Sequence, residues 1–224
     1  MRRLLPLFAL VAGLLAGLLL AALLFPLTVY RPSPPKVRTL TLAHGAARIE
    51  AGVPVGYAHS EQGAIDAATN YATVQNGRLL LDAAGYRKAD ELMTAPAARA
   101  SEVERDMQNL RALDNFYGFS TRPQQGFPVH VRFSPVAYHQ DAYDGQHATV
   151  SVWALWLVAV DQILAPQVQW ATWTDTLVWQ GDWKIQASGV RPGPAPYPAV
   201  GPDAKASPLP DELTSWQEYS HVAT

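Results

Sequence analysis

The stretch FPVHVRFSPVAYHQDAYDGQHATVSVWALWLVAVDQ, residues 127–162, decides the fold. Two alternating apolar runs flank Asp144-Gly145, a two-residue hairpin signal. That turn pairs Asp141 with Ala148, His139 with Val150, Phe133 with Trp156 and Val131 with Val158. In this register Val129, Val131 and Phe133 share a face with Ala148, Val150, Val152, Ala154, Trp156, Val158 and Val160. Turn chemistry and burial agree, because a one-residue slip sends every apolar side chain to the other face. Pro135 donates no backbone hydrogen bond and marks a bulge or an edge position.

Working outward, a third strand is expected over about Val168 to Trp179. Ala171, Trp173, Leu177 and Trp179 lie on one face and Thr172, Thr174 and Thr176 on the other. The fourth strand is WKIQA, with Trp183, Ile185 and Ala187 inward. A two-residue Gly181-Asp182 loop mismatches the faces, so the loop is read as Gln180-Gly181-Asp182.

Before the strands come three helices, near 61–75, 79–93 and 99–114. Ser60 caps the first, and Glu61 complements its dipole. Its narrow face holds Ala64, Ile65, Ala68, Tyr71 and Ala72. The third carries Val103, Met107, Leu110 and Leu113 at helical spacing. Helices first and then a Trp-rich antiparallel sheet predict an α+β layer with the helices on one face. Trp156, Trp173, Trp179 and Trp183 fill the space, so the helix across them is expected to be mostly Ala.

The N-terminus carries a different signal. Leu4 to Phe25 runs 22 residues without a charge, roughly 33 Å as a helix, enough to span a bilayer. The residues after it make a poor cleavage site, so an uncleaved anchor is expected. Arg2 and Arg3 precede it; Arg31, Lys36 and Arg38 follow. The charges are nearly balanced, and the short arm is placed in the cytoplasm with the domain outside. Ala9, Gly13, Gly17 and Ala21 fall at four-residue steps and form a helix-packing face suited to self-association.

The expected domains are a stub and anchor at 1–28, a Pro-rich spacer and lead-in at 29–51, and the α+β domain at 52–189. A linker at 190–210, with seven prolines, and a short terminal helix or tail at 211–224 follow. A net charge of -2 gives no case for direct nucleic-acid binding. The chain has no cysteine, which removes disulfides, thiolate metal sites and cysteine nucleophiles.

The segment GVPVGYAHSEQGAIDAATNYATV, which opens the soluble part, is similar to actinobacterial conjugation-associated membrane proteins. The helices, the sheet and the WQGDWKI hairpin resemble the cone-shaped fold shared by nuclear transport factor and ketosteroid isomerase. The resemblance covers about residues 52–188. It implies a domain of about three helices on a curved, mainly four-stranded antiparallel sheet. With the anchor, the layout resembles the bitopic assembly proteins of type IV secretion and conjugation systems. That implies a non-enzymatic membrane scaffold whose extracytoplasmic domain binds other subunits, with no cofactor. A tethered isomerase-like enzyme or small-ligand binder is the alternative, as is an accessory protein of lipid transport.

Candidate residues follow from position. His139 and Asp141 share a strand face, read as the core side, and a His–carboxylate pair suits acid–base work. Asp175 stands among inward apolar residues, where burial raises a carboxyl pKa, and this fold's isomerases use a carboxylate. The enzyme or binder reading requires a pocket around one of these. His130 and His147 complete no metal set. Tyr57 and His59, at the corner before the first helix, are candidate partner contacts, although Tyr57 also suits a staple for the helix start. Trp216 and Tyr219, at i and i+3 of a terminal helix, are candidates for docking.

Overall fold

The computed structural model describes residues 45–196, 213 and 215–219. Strands β1 (Arg48–Glu50) and β2 (Val53–Val55) form a two-stranded sheet. Helices α1 (Glu61–Gln75), α2 (Ala83–Met93) and α3 (Arg99–Tyr117) follow. Then come β3 (Val129–Tyr143), β4 (His147–Val160), β5 (Leu164–Trp179) and β6 (Trp183–Pro192), with β7 (Gln217–Glu218) near the end. The main sheet is antiparallel in the order β6-β5-β4-β3-β7. The architecture is α+β, with three α-helices and a five-stranded sheet where four strands are expected.

The extra strand comes from the tail, which is expected to be helical. Gln217 and Glu218 instead pair with Tyr138 and Ala137 on the open edge of β3. Leu213 is buried with Ala137 and Trp153 on the sheet face opposite the helices. An edge strand presents unpaired N–H and C=O groups, and here the tail covers part of that edge.

α1 begins where expected, with Ser60 Oγ accepting the Gly63 N–H at 3.1 Å. It packs mainly on β4. Its Ala64, Ala67, Ala68 and Tyr71 share a core with Ala148, Val150, Val152 and Ala154. Trp183, Trp173 and Trp179 join this core as expected, and small residues of β4 are added to it. The residues of β4 under the helix are themselves small, so the two backbones approach on both accounts. Trp183 belongs to this core, whereas Trp156 packs in a second one with Tyr86, Val103, Leu110 and Tyr117.

The β3–β4 register is expected correctly at one end only. Phe133 pairs with Trp156 and Val131 with Val158. Near the turn, however, Tyr143 pairs with Ala148, and His139 pairs with Ser151 rather than Val150. The register shifts at Val136 and again at Asp141. The β5–β6 loop is Gln180-Gly181-Asp182, as read, with Trp179 opposite Trp183.

β1 lies before the expected boundary at residue 52, and β6 runs past the one at 189. Among the described residues no helix is long and apolar enough to cross a membrane. The anchor, its packing face Ala9, Gly13, Gly17 and Ala21, and the greater part of the spacer and linker lie outside the described residues.

Candidate functional site

A cavity of about 580 Å³ opens between α1, α3 and the β5–β6 hairpin. Leu80, Leu110, Leu113 and Trp173 supply apolar wall; Gln75, Arg105, Asp106, Asp175 and Ser188 supply the polar part. The alternation of β5 turns Asp175 inward between Trp173 and Leu177, and it is 4% exposed.

The helices bring further carboxylates. Asp90 and Asp106 occupy positions in the buried stripes of their helices, beside Tyr86, Ala89 and Met93 on α2 and Val103, Met107 and Leu110 on α3. Gln75, in the last turn of α1, donates from Nε2 to Asp90 Oδ1 at 3.0 Å and to Asp106 Oδ2 at 3.5 Å. Arg105 donates twice to Asp106 Oδ1, at 3.1 and 2.9 Å. It also pairs with Glu102 at 2.7 Å, and Glu102 accepts the Ser188 N–H at 3.0 Å. Asp90 Oδ2 is buried without a hydrogen-bond partner.

This crowding has an electrostatic result. Burial pushes the Asp175 carboxyl up to about 7, with Asp106 and Asp90 adding repulsion and the adjacent Ser188 hydroxyl and Arg105 opposing it. Burial and Asp106 likewise push Asp90 up to about 7, against Gln75 and Arg105. Asp106 is raised by burial, despite Arg105. Near neutral pH Asp175 and Asp90 therefore hold a proton part of the time, and each can donate or accept one.

The linkage sign follows. Folding raises both values above the ordinary 3.8 of an aspartate, so between about pH 4 and 7 the folded state binds more protons than the unfolded one. Stability from these groups is full below that window and is lost as pH rises through 7. Each contributes a slope of up to ~1.4 kcal/mol per pH unit. Urea unfolding of the full chain should show stability falling from pH 4 to 7, with a shallower fall in Asp175→Asn. An identical slope in the variant would mean that folding does not raise the Asp175 carboxyl.

His139 and Asp141 lie elsewhere. The bulge at Val136 reverses the expected facing of His139, which lies opposite Ser151 on the sheet face away from the helices. His139 Nδ1 is 2.9 Å from Asp141 Oδ1. Ser151 Oγ donates to Asp141 Oδ2 at 2.7 Å, and the Trp216 ring lies 5.8 Å from that of His139. The pair does not line this cavity, whereas Asp175 does.

The corner residues divide. Tyr57 is buried, its hydroxyl donating to the Pro54 carbonyl at 3.1 Å and accepting from Asn70 at 3.0 Å. It packs edge-on to Tyr71, so it is a staple and not a surface contact. His59 is exposed and stacks on Trp179 at 4.1 Å. Trp216 and Tyr219 dock on their own domain: the Tyr219 ring lies tilted against that of Tyr138 at 5.0 Å, and its hydroxyl lies 2.6 Å from Thr69 Oγ1. His130 points outward to Asp161 and His147 to Asp144. Among the described residues no three His, Asp or Glu side chains converge as a metal site.

Asp90 and Asp106 escape a reading of single elements. Their signal is a carboxylate standing at i+3 or i+4 within an apolar helical stripe, on two successive helices.

Fold and site define a class: an α+β domain with helices on one face of an antiparallel sheet, enclosing a cavity with a carboxyl-rich end. Residues 39–202 match the model of the DUF8175 family, a domain of unknown function, and the chain belongs to that family. No curated protein and no solved structure matches the chain.

Proposed function

We propose that the protein is a non-enzymatic, single-pass membrane component of a conjugation or secretion-like complex. Its N-terminus lies in the cytoplasm and its domain outside the membrane, where it binds other subunits. The carrying observation is the order along the chain: an uncharged 22-residue apolar stretch, a proline-rich spacer, and a domain with its own core. Such a layout holds a binding module at a set distance from the lipid. A pull-down from gently solubilised membranes should recover other membrane-complex subunits, and a clean deletion should abolish transfer. Normal transfer in the deletion strain overturns the proposal.

Within this reading the anchor face Ala9, Gly13, Gly17 and Ala21 supports self-association. Gly13→Ile and Gly17→Ile add bulk where two backbones meet, and should weaken association by about 1–2 kcal/mol. Leu14→Ile and Leu18→Ile preserve volume and serve as controls. In a cross-linking assay on the full chain, equal signal from glycine variants and controls would make the motif accidental.

A second reading, a membrane-tethered binder of small ligands or an isomerase-like enzyme, is favoured by one observation. The cavity ends on Asp175, a buried carboxyl facing open space.

A further inference from the structure

The polar groups around the cavity are unequally engaged. Asp106 is held by Arg105 and Gln75, and Asp90 by Gln75 on one oxygen. Arg105 is the one cation among the lining residues, and Glu102 and Asp106 already occupy its guanidinium. Asp175 lies opposite Ser188 in the β5–β6 pairing, and Ser188 Oγ is buried without a hydrogen-bond partner. Both residues line the cavity, with the Ser188 hydroxyl turned into the protein. The rest of the wall is largely apolar, and Trp173 presents an aromatic surface near Asp175.

Charge decides the ligand class. Glu102 and Asp106 already offset the Arg105 guanidinium, and Asp175 and the nearby Asp90 add partial negative charge, so an entering anion meets net repulsion. A neutral ligand gives the Asp175 carboxyl no ionic partner and leaves it protonated in a dry site, whereas a cation stabilises its ionised form. A protonated amine pairs with Asp175 and lays its apolar body along Leu110, Leu113 and Trp173. We infer that this cavity is a binding site for an amphipathic amine, with Asp175 holding the ammonium head and the apolar wall holding the body. The inference rests on the ligand-binder reading and names its ligand class.

The test uses three isosteric probes, 4-phenylbutylamine, 4-phenylbutanol and 4-phenylbutanoate. Each is titrated by calorimetry into the full chain in nanodiscs, with empty nanodiscs as the blank. The amine should bind about tenfold or more tightly than the alcohol, and the carboxylate most weakly. Asp175→Asn should remove the preference for the amine over the alcohol. Val190→Trp, at an exposed strand position on the cavity rim, should weaken all three. If Asp175→Asn does not fold, the order of the three probes on the unaltered chain decides. Equal affinity for amine and alcohol, or an unchanged preference in Asp175→Asn, overturns the amine assignment while the pocket stands. Binding by none of the three overturns the ligand-binder reading with it.

Discussion

Trp183→Ala is expected to lower the unfolding free energy by about 3–5 kcal/mol, the range for deleting a buried aromatic side chain. Trp183 is fully buried at the start of β6. It lies in the core that contains the Ala face of α1, and Trp179 and His59 pack edge-on against it at 5.4 and 5.9 Å. Its indole N–H donates to the Ala58 carbonyl at 3.0 Å, in the corner before α1. Truncation thus opens a large void and removes a bond between β6 and that corner. Small residues cannot collapse into the void, because α1 and β4 already approach closely through Ala and Val. Trp183→Phe should separate the two effects, costing about 1–2 kcal/mol through the lost bond and a smaller void. Urea unfolding of the full chain, followed by far-ultraviolet circular dichroism, measures both. A loss under about 1 kcal/mol for the Ala variant would mean that the core does not contain this ring.

The place of Trp183 is legible because a three-residue loop is needed to put Trp179 and Trp183 on one face, and that loop is present. The first hairpin is legible only in part, and the reason is local. Asp144 does not occupy the turn centre: its Oδ1 accepts the N–H groups of Gln146 and His147 at 2.8 and 2.7 Å. The Asp144 N–H donates to the His147 carbonyl, so Gly145 and Gln146 form the turn. Positive φ at Gly145 alone suits a type II′ turn. This moves the pairing by two positions near the turn, and the bulges at Val136 and Asp141 absorb the difference one residue at a time. An even total shift restores the expected faces around Phe133. The odd shift between the bulges reverses those of His139 and Ala137. Alternation reports parity and not position, so two compensating bulges leave no trace at the far end.

The same reasoning sorts the site. Asp175 is legible because one strand alone fixes its face. Asp90, Asp106 and Arg105 become a site only when two helices pack with α1, and no single stripe contains that information. The tail is illegible for a related reason. Trp216 and Tyr219 have helical spacing, yet the open edge of β3 recruits Gln217 and Glu218 as a strand. Backbone partners supplied by tertiary structure override spacing in so short a segment.

Asp182→Ala is expected to cost about 3–5 kcal/mol, because one carboxylate holds three backbone donors. Its Oδ1 accepts the N–H groups of Tyr57 and Trp183, each at 3.0 Å, and its Oδ2 accepts that of Gly56 at 3.0 Å. The Tyr57 and Trp183 bonds are buried. Positive φ at Gly56 permits the bend that aims two successive N–H groups at one side chain. In effect the GVPVG corner is fastened to the β5–β6 loop across the domain. Removing the carboxylate strands buried donors at about 1–3 kcal/mol each, beyond the loss of charge-assisted bonds. Asp182→Asn keeps an acceptor for Tyr57 and Trp183 but turns an NH₂ group toward the Gly56 N–H. It should lose about half as much as the Ala variant. Lys184, 3.7 Å from Oδ2, adds little to this order, since Lys184→Met leaves all three backbone bonds in place. The expected ranking of urea midpoints is Lys184→Met above Asp182→Asn above Asp182→Ala. Hydrogen exchange at the Gly56, Tyr57 and Trp183 amides should accelerate in the two Asp182 variants. If the Asn and Ala variants are equally unstable, the negative charge holds the corner rather than the hydrogen bonds.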